Sequence, residues 1–228
     1  MDLKIAKYCD LKKTSVIDNN EEFVIVNKYD RDIKQKHFFK DMLQYFDGQI
    51  VVRKTVAKKL AKVNFELKKL NKNYTLLVSY GYRLLKIQKE YFSKELEIVK
   101  NENKGISKDK LFELVHKKIA VPIVAGHPTG GAVDLTIFDT KNNILIDMGG
   151  DIADFSNKRV PTFNKYITKI QEKNRKILLE LMLRQNFCPF YEEWWHFSYG
   201  DKEWAFFYEK ENAIYEQLAI KKIKIKLK

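Results

Sequence analysis

The spacing of apolar residues changes along this 228-residue chain, and that change restricts its fold more than any other feature. Between Val52 and Leu70 apolar residues recur every three or four positions, which predicts a helix. The segment from Tyr74 to Tyr80 is β-branched and aromatic and predicts a buried strand. Residues 132–148 alternate and then turn back, which predicts a β-hairpin. Because strands and helices do not alternate regularly, the pattern predicts an α+β fold rather than a doubly wound sheet.

Size and composition predict a single domain over residues 1–228. Hydrophobic residues make up 45% of the chain, enough for a sizeable core, and no repeat or Pro-, Gly- or Ser-rich linker divides it. We expect the core at about residues 50–200, preceded by an N-terminal extension. The alternating basic tail from Lys221 to Lys228 predicts a charged edge strand.

Four further segments have weaker patterns. A short strand is predicted at Phe23 to Val26, a loop or short helix at residues 32–46, and a helix from Lys108 to Lys118 that the Ser107 hydroxyl could cap. Residues 164–185 predict a long helix. Its expected buried side consists of Tyr166, Ile167, Ile170, Ile177, Leu178, Leu181 and Met182.

Charge and targeting signals exclude some functions. The formal net charge is +13, but the lysines are spread along the chain without the clustered Arg and aromatic residues typical of nucleic-acid binding. Charged residues interrupt the N-terminus, and no stretch is long and apolar enough to span a membrane. We therefore expect a cytoplasmic protein with no nucleic-acid or membrane partner. Cys9 and Cys188 are expected to be unpaired thiols.

Three short segments contain residues suited to catalysis. In the first, His127 precedes a Gly-rich turn and Asp134 enters a strand, so both could bind a metal ion. Taken alone, a surface histidine beside a turn and a hydrogen-bonded strand aspartate are the more common explanation of such a segment.

In the second segment, His196 lies among large aromatic rings and Glu193 precedes it by three residues. A core histidine is the alternative interpretation. If the two side chains share a site, the chain must be irregular at Glu193 to Trp195, just before a strand that presents His196. The third segment places Arg83 at the end of the strand 74–80, where it could be a surface ion pair. Taken together, two histidines, a carboxylate, a spare glutamate and a fixed cation suit metal-assisted amide hydrolysis.

These segments resemble motifs of the zinc D-alanyl-D-alanine dipeptidases of the vancomycin-resistance type, which have the Hedgehog/DD-peptidase fold. The family patterns GYR, SxHxxGxAxD and ExWH occur in that order at 81–83, 125–134 and 193–196. The resemblance implies one zinc ion held by His127, Asp134 and His196. It also implies that Glu193 is the general base and acid and that Arg83 stabilises the oxyanion.

The resemblance further implies two substrate contacts. One is Tyr82 of the GYR motif. The other is the carboxylate of the family's MGxxFD stretch, which here has one extra residue, so that Asp154 or Asp151 would bind the substrate ammonium, with Asp154 favoured. The chain departs from the family pattern at Ala125, Tyr80 and Leu84, where Ser, Asp and Pro are usual. These departures concern substrate contacts and the surroundings of Arg83 rather than the metal ligands.

The function expected from the resemblance is hydrolysis of D-Ala-D-Ala or a related D-amino-acid dipeptide in cell-wall metabolism. The alternatives are a D,D-carboxypeptidase or endopeptidase acting on longer wall peptides, and a non-catalytic zinc-stabilised binding module. The other histidines, His37 and His116, are expected to be structural or solvated. Trp194 and Trp195 are expected to form core and pocket wall.

Overall fold

The structure, a computed structural model, describes residues 5–155, 158–223 and 225. The α-helices within these ranges are α1 (Tyr8–Lys13), α2 (Lys54–Leu70), α3 (Leu85–Glu102), α4 (Lys108–His116), α5 (Lys169–Arg184) and α6 (Lys202–Phe207). The strands are β1 (Ser15–Val16), β2 (Phe23–Ile25), β3 (Lys34–Gln35), β4 (Val51–Arg53), β5 (Tyr74–Tyr80), β6 (Ala132–Asp139), β7 (Ile144–Leu145), β8 (Cys188–Pro189), β9 (His196–Ser198) and β10 (Asn212–Ala213).

A six-stranded sheet organises the molecule. Its order is β3-β5-β6-β9-β8, and β7 pairs with β6 beside this path. All pairings in this sheet are antiparallel except β3 with β5, which is parallel. The predicted α+β architecture, a small and largely antiparallel sheet with flanking helices, is confirmed.

The main core lies between α2 and this sheet. Four apolar residues of α2 that follow the spacing of three or four positions are fully buried: Val56, Leu60, Val63 and Leu67. They pack in one cluster with Leu76 and Val78 of β5 and with Leu178 and Met182 of α5. Burying an aliphatic side chain contributes about 1.5–3 kcal/mol, so this face of α2 fixes the position of β5.

Several predicted elements need correction. The helix α2 begins at Lys54 rather than Val52, because residues 51–53 pair with β2 as a strand. The long helix begins at Lys169, where Thr168 and Gln171 form a capping box, so Tyr166 precedes the helix. Tyr166 and Ile170, in the first turn of α5, are exposed rather than buried. Ser107 precedes α4 but makes no side-chain capping bond.

Other elements were not predicted or differ at their ends. The helix α3, with 18 residues, and the short helices α1 and α6 were missed. The returning strand of the predicted hairpin is short, because β7 covers only Ile144–Leu145. In the basic tail, Ile220–Lys222 form a 3-10 turn rather than the predicted edge strand, and residues 224 and 226–228 lie outside the described residues. The N-terminal strand, β5 and α4 occur where they were predicted.

Candidate metal centre and active site

The register of three neighbouring strands brings distant parts of the chain together. Tyr80 of β5 lies opposite Asp134 of β6, and Asp134 lies opposite His196 of β9. Residues that face each other across antiparallel strands have Cβ atoms about 4.5–5.5 Å apart, close enough for direct contact. Strand pairing therefore places Asp134 between the side chains of Tyr80 and His196.

His127 reaches the same place from a 3-10 turn, His127–Thr129, just before β6. The turn ends at Gly130, whose φ of 74° is left-handed. A Cβ there would also lie 2.2 Å from the ring of Phe23, so only glycine fits. The Gly-rich segment thus turns His127 back toward Asp134.

The two histidines and the aspartate form a compact cluster. His196 Nδ1 lies 2.9 Å from Asp134 Oδ1, and His127 Nε2 lies 3.4 Å from Asp134 Oδ2. One ligand atom of each residue lies within 4.8 Å of the others, and all three side chains are largely buried. The arrangement can hold one metal ion.

The backbone of Gly81 fixes the orientation of His127. His127 Nδ1 lies 2.7 Å from the Gly81 carbonyl, so Nδ1 carries the proton and Nε2 is left to face Asp134. Gly81 has no space for a side chain, because a Cβ would lie 2.6 Å from the Val51 carbonyl oxygen. The glycine of the GYR motif therefore supports the position of His127 in the cluster.

Burial and mutual charge set the proton affinities in this cluster. Burial lowers the pKa of His127 to about 4, and the positive charges of Arg83 and His196 add to this effect. For Asp134, burial would raise the pKa, but the two imidazoles outweigh it and lower the pKa. The pKa of His196 is raised to about 9, because its contacts with Asp134 outweigh the effect of burial. Asp134 is thus ionised and His127 neutral, the states in which these groups bind a metal ion.

Glu193 joins the cluster through a bend in the chain. The His196 amide donates to the Glu193 carbonyl at 3.3 Å, and the Glu193 amide donates to the Phe190 carbonyl at 3.0 Å. This turn confirms the irregularity predicted at Glu193 to Trp195 before the strand β9. Burial raises the pKa of Glu193 to about 8, with Asp134 adding to the rise and His196 and Arg83 opposing it.

Arg83 lies just after the end of β5, beside His127. Its amide donates to the His127 carbonyl at 3.2 Å, and its Nη1 donates to Gln88 Oε1 at 2.9 Å. Gln88 is held in turn by its bond to the Ala120 carbonyl at 2.8 Å. The Arg83 side chain is therefore a fixed cation, not the surface ion pair that was its alternative interpretation.

One cavity of about 260 Å³ joins these groups. Its wall includes the three residues of the cluster together with Glu193 and Arg83, and Trp195 is part of the wall as expected. Ala153 and Phe155 also line it, so Asp154 lies between two wall residues, whereas Asp151 lines a separate groove.

The side chain of Tyr82, the other residue expected to contact substrate, packs in a different part of the molecule. Within the described part of the chain, Tyr82 does not line the cavity. Its ring packs against Phe23 and Phe46 in another apolar cluster. Its hydroxyl donates to the Leu218 carbonyl at 2.6 Å. Its side chain thus has a packing and hydrogen-bonding role away from the cavity wall, and the substrate contact implied by the resemblance stays a prediction.

Sequence reasoning missed Gln88, which accepts a hydrogen bond from Arg83, and Asp41, which accepts hydrogen bonds from Tyr80 and Tyr91. Gln88 begins the apolar face of α3, and the spacing of Phe92, Leu96 and Val99 in the sequence was a usable signal for that helix. His116 is buried, accepts a bond from the Val121 amide at 3.2 Å and lines the cavity, while His37 Nε2 lies 2.9 Å from the Gly48 carbonyl.

Comparison with known proteins decides the family. The profile of the D-Ala-D-Ala dipeptidase family, Peptidase_M15, matches residues 26–217. The chain belongs to this family. The D-alanyl-D-alanine dipeptidase of Synechocystis sp. is 26% identical over 193 residues, covering 74% of this chain and 77% of the relative. The enzyme of the same name from Enterococcus faecalis is 26% identical over 163 residues, covering 69% of this chain and 77% of the relative.

Two solved structures also resemble this member of the D-Ala-D-Ala dipeptidase family. The LdcB LD-carboxypeptidase has a TM-score of 0.44 and 20% identity, covering 91% of this chain and 82% of the other. The vancomycin resistance D,D-pentapeptidase VanY, solved with Zn(II), has a TM-score of 0.41 and 17% identity, covering 90% of this chain and 96% of the other.

The family membership makes the chain a zinc metallopeptidase, as predicted. Its cluster fits that metal, because catalytic zinc sites use three nitrogen or oxygen ligands and leave a further position open. The carbonyl bonded to His127 Nδ1 is the kind of outer support that zinc-binding histidines have. In the described part of the chain, no helix combines the length and apolar character needed to cross a bilayer.

Proposed function

We propose that this peptidase is a D,D-dipeptidase that hydrolyses D-Ala-D-Ala or a related small D-amino-acid dipeptide in cell-wall metabolism. The observation that supports this most directly is that His127, Asp134, His196, Glu193 and Arg83 all line one small cavity. Its volume of about 260 Å³ is below the ~300–1,000 Å³ of pockets for drug-sized ligands. A dipeptide suits this volume better than a long wall peptide does.

The residues that would hold the metal ion are His127, Asp134 and His196, and the ring nitrogens nearest Asp134 are His127 Nε2 and His196 Nδ1. A zinc ion in this site supplies Lewis acidity toward the scissile carbonyl and lowers the pKa of water. The chain's own part is to present His127 as a neutral imidazole and Asp134 as an ionised carboxylate in a buried position, where electrostatic interactions are stronger than in water.

Glu193 is proposed as general base and then general acid. It takes a proton from the attacking water and returns it to the leaving amine. Its position in the cavity wall and the burial that raises its pKa suit a group that must both accept and release a proton near neutral pH. Arg83 is proposed to stabilise the negative charge that develops on the carbonyl oxygen, because its guanidinium stays charged when buried.

The substrate ammonium is proposed to bind Asp154. Support comes from its place in the chain between the wall residues Ala153 and Phe155. Asp151, the other candidate, is exposed and borders a different groove. The proposed place of action is the cytoplasm, where the dipeptide would be removed before its incorporation into wall precursors. Activity confined to the cytoplasmic fraction of the source cells would be the expected result.

Purified protein loaded with zinc tests this proposal. D-Ala-D-Ala should be cleaved to free D-alanine, while a pentapeptide ending in the same two residues should be cleaved much more slowly. Faster cleavage of the pentapeptide would instead indicate a D,D-carboxypeptidase. Tight binding of the dipeptide without cleavage by wild type would indicate a binding module, and inertness toward all these peptides would reject the proposal.

A further inference from the structure

A carboxylate from outside the three motifs lies behind Arg83. Asp41 belongs to the irregular segment between β3 and β4, the same segment from which Phe39 reaches the cavity wall. Asp41 Oδ2 accepts hydrogen bonds from two tyrosine hydroxyls, Tyr80 at 2.5 Å and Tyr91 at 2.7 Å. Its other oxygen, Oδ1, is buried and has no hydrogen-bond partner among the described residues.

The same two tyrosines hold Arg83. The guanidinium carbon lies 4.3 Å from the ring centre of Tyr80 and 5.3 Å from that of Tyr91. Tyr80 also contacts the ring of His127, with 5.2 Å between ring centroids. Tyr80 therefore joins three groups: the cation, a residue of the metal cluster and the carboxylate of Asp41.

Electrostatics favours a charged Arg83 in this setting. Burial by itself would lower the pKa of Arg83, but Tyr80, Asp134 and Asp41 outweigh it and the pKa is raised. Burial also raises the pKa of Tyr91 to about 12, and that of Tyr80 is raised for the same main reason. Both hydroxyls thus keep their protons at neutral pH and can donate them to Asp41.

The contact between Asp41 and Arg83 is indirect, and this matters for catalysis. Within the described ranges, no carboxylate forms a direct ion pair with Arg83, and its one side-chain hydrogen bond goes to the neutral Gln88. A direct ion pair would neutralise much of the charge that a developing oxyanion needs. Two tyrosines between the charges can orient the guanidinium while its charge remains available to the substrate.

We propose that Asp41 is a positioning residue for Arg83, acting through the hydroxyls of Tyr80 and Tyr91. This inference rests on the proposed function of Arg83 at the oxyanion. It also gives a role to Tyr80, at which the chain departs from the usual family pattern. A carboxylate distant in sequence, on the segment that contributes Phe39 to the cavity wall, orients the catalytic cation through this side chain.

The test compares Asp41→Asn with Asp47→Asn as a matched control. Asp47 lies on the same segment, is exposed and is not part of the cavity wall. In zinc-loaded protein, Asp41→Asn should lower kcat for D-Ala-D-Ala by about 10- to 100-fold, as supporting residues around a catalytic centre do. KM should change little, because the oxyanion forms only in the transition state. Zinc content and Tm should match those of Asp47→Asn.

Tyr80→Phe distinguishes positioning from a general structural effect. It removes the hydroxyl but keeps the ring against Arg83, so it should reduce kcat about as much as Asp41→Asn. The double variant should lose little more than either single variant, because both changes break one chain of contacts. Tyr91→Phe, which leaves one of the two bonds to Asp41, should have a smaller effect.

The outcomes separate this inference from the proposed function. If wild type does not hydrolyse D-Ala-D-Ala, both are rejected. Wild type could be active while the Asp41→Asn variant, folded and loaded with zinc, has the same kcat as the Asp47→Asn control. That result would reject only the role of Asp41. Losses that multiply in the double variant would also overturn it. Should Asp41→Asn fail to fold, the test depends on Tyr80→Phe and Tyr91→Phe. If both of these variants have the same kcat as wild type, the inference is overturned.

Discussion

Replacing Glu193 by Gln should separate catalysis from stability. The variant keeps the size of the side chain and removes its ability to exchange a proton. Loss of a positioned general base typically lowers the rate by about 10²–10⁴-fold. The kcat of Glu193→Gln should therefore be at least about 100-fold lower than that of wild type. Zinc should remain bound, because Glu193 is not one of the three residues of the metal cluster.

The same variant should be more stable than wild type in the metal-free state at alkaline pH. Burial raises the pKa of Glu193 from 4.5 to about 8, so the folded protein keeps a proton that the unfolded chain releases. The stability of wild type therefore falls as pH rises through this window. A tenfold change in proton affinity corresponds to ~1.4 kcal/mol. Above pH 8 the raised pKa of Glu193 should therefore lower the free energy of unfolding of wild type by up to about 5 kcal/mol.

Denaturant unfolding of chelated protein at about pH 5 and about pH 9 measures this difference. Glu193→Gln and wild type should have similar free energies of unfolding at the lower pH, and the variant should be more stable at the higher pH. Effects of the other titrating groups largely cancel in the comparison. The control is Glu192→Gln, the adjacent residue, which is not in the described cavity wall. Equal stability at both pH values, or substantial turnover by the variant, would refute the reasoning.

Three further substitutions test other parts of the site. His196→Ala should lose stoichiometric zinc by elemental analysis while His37→Ala retains it, and a zinc-loaded His196→Ala would contradict the proposed ligands. Arg83→Lys should lower kcat by about 10²-fold with less effect on KM, because a point charge does not reproduce the guanidinium, and unchanged kcat would contradict this role. Gly81→Ala should lower Tm by the equivalent of about 1–3 kcal/mol and weaken zinc binding. The reason is that its Cβ would lie 2.6 Å from the carbonyl oxygen of Val51 in β4. A Tm equal to that of wild type would contradict this prediction.

The sequence predicted the elements in which local pattern and tertiary packing agree. The apolar face of α2 and the strand β5 were identified because burial on one face leaves a period in the chain. Long helix α3 was missed although its apolar residues are spaced suitably, and the start of α5 was placed too early because apolar residues before Lys169 continued the pattern while remaining exposed.

For the site, the sequence alone determined the residue types and their order: two histidines, two carboxylates and an arginine in three short motifs. Tertiary structure decided which of them meet, because strand register places Asp134 beside His196 and a glycine turn returns His127 to the same end of the sheet. It also removed Tyr82 from the cavity and brought Asp41 to Arg83 through tyrosines. Contacts between residues far apart in the chain depend on strand pairing and packing, which leave no local pattern in the sequence.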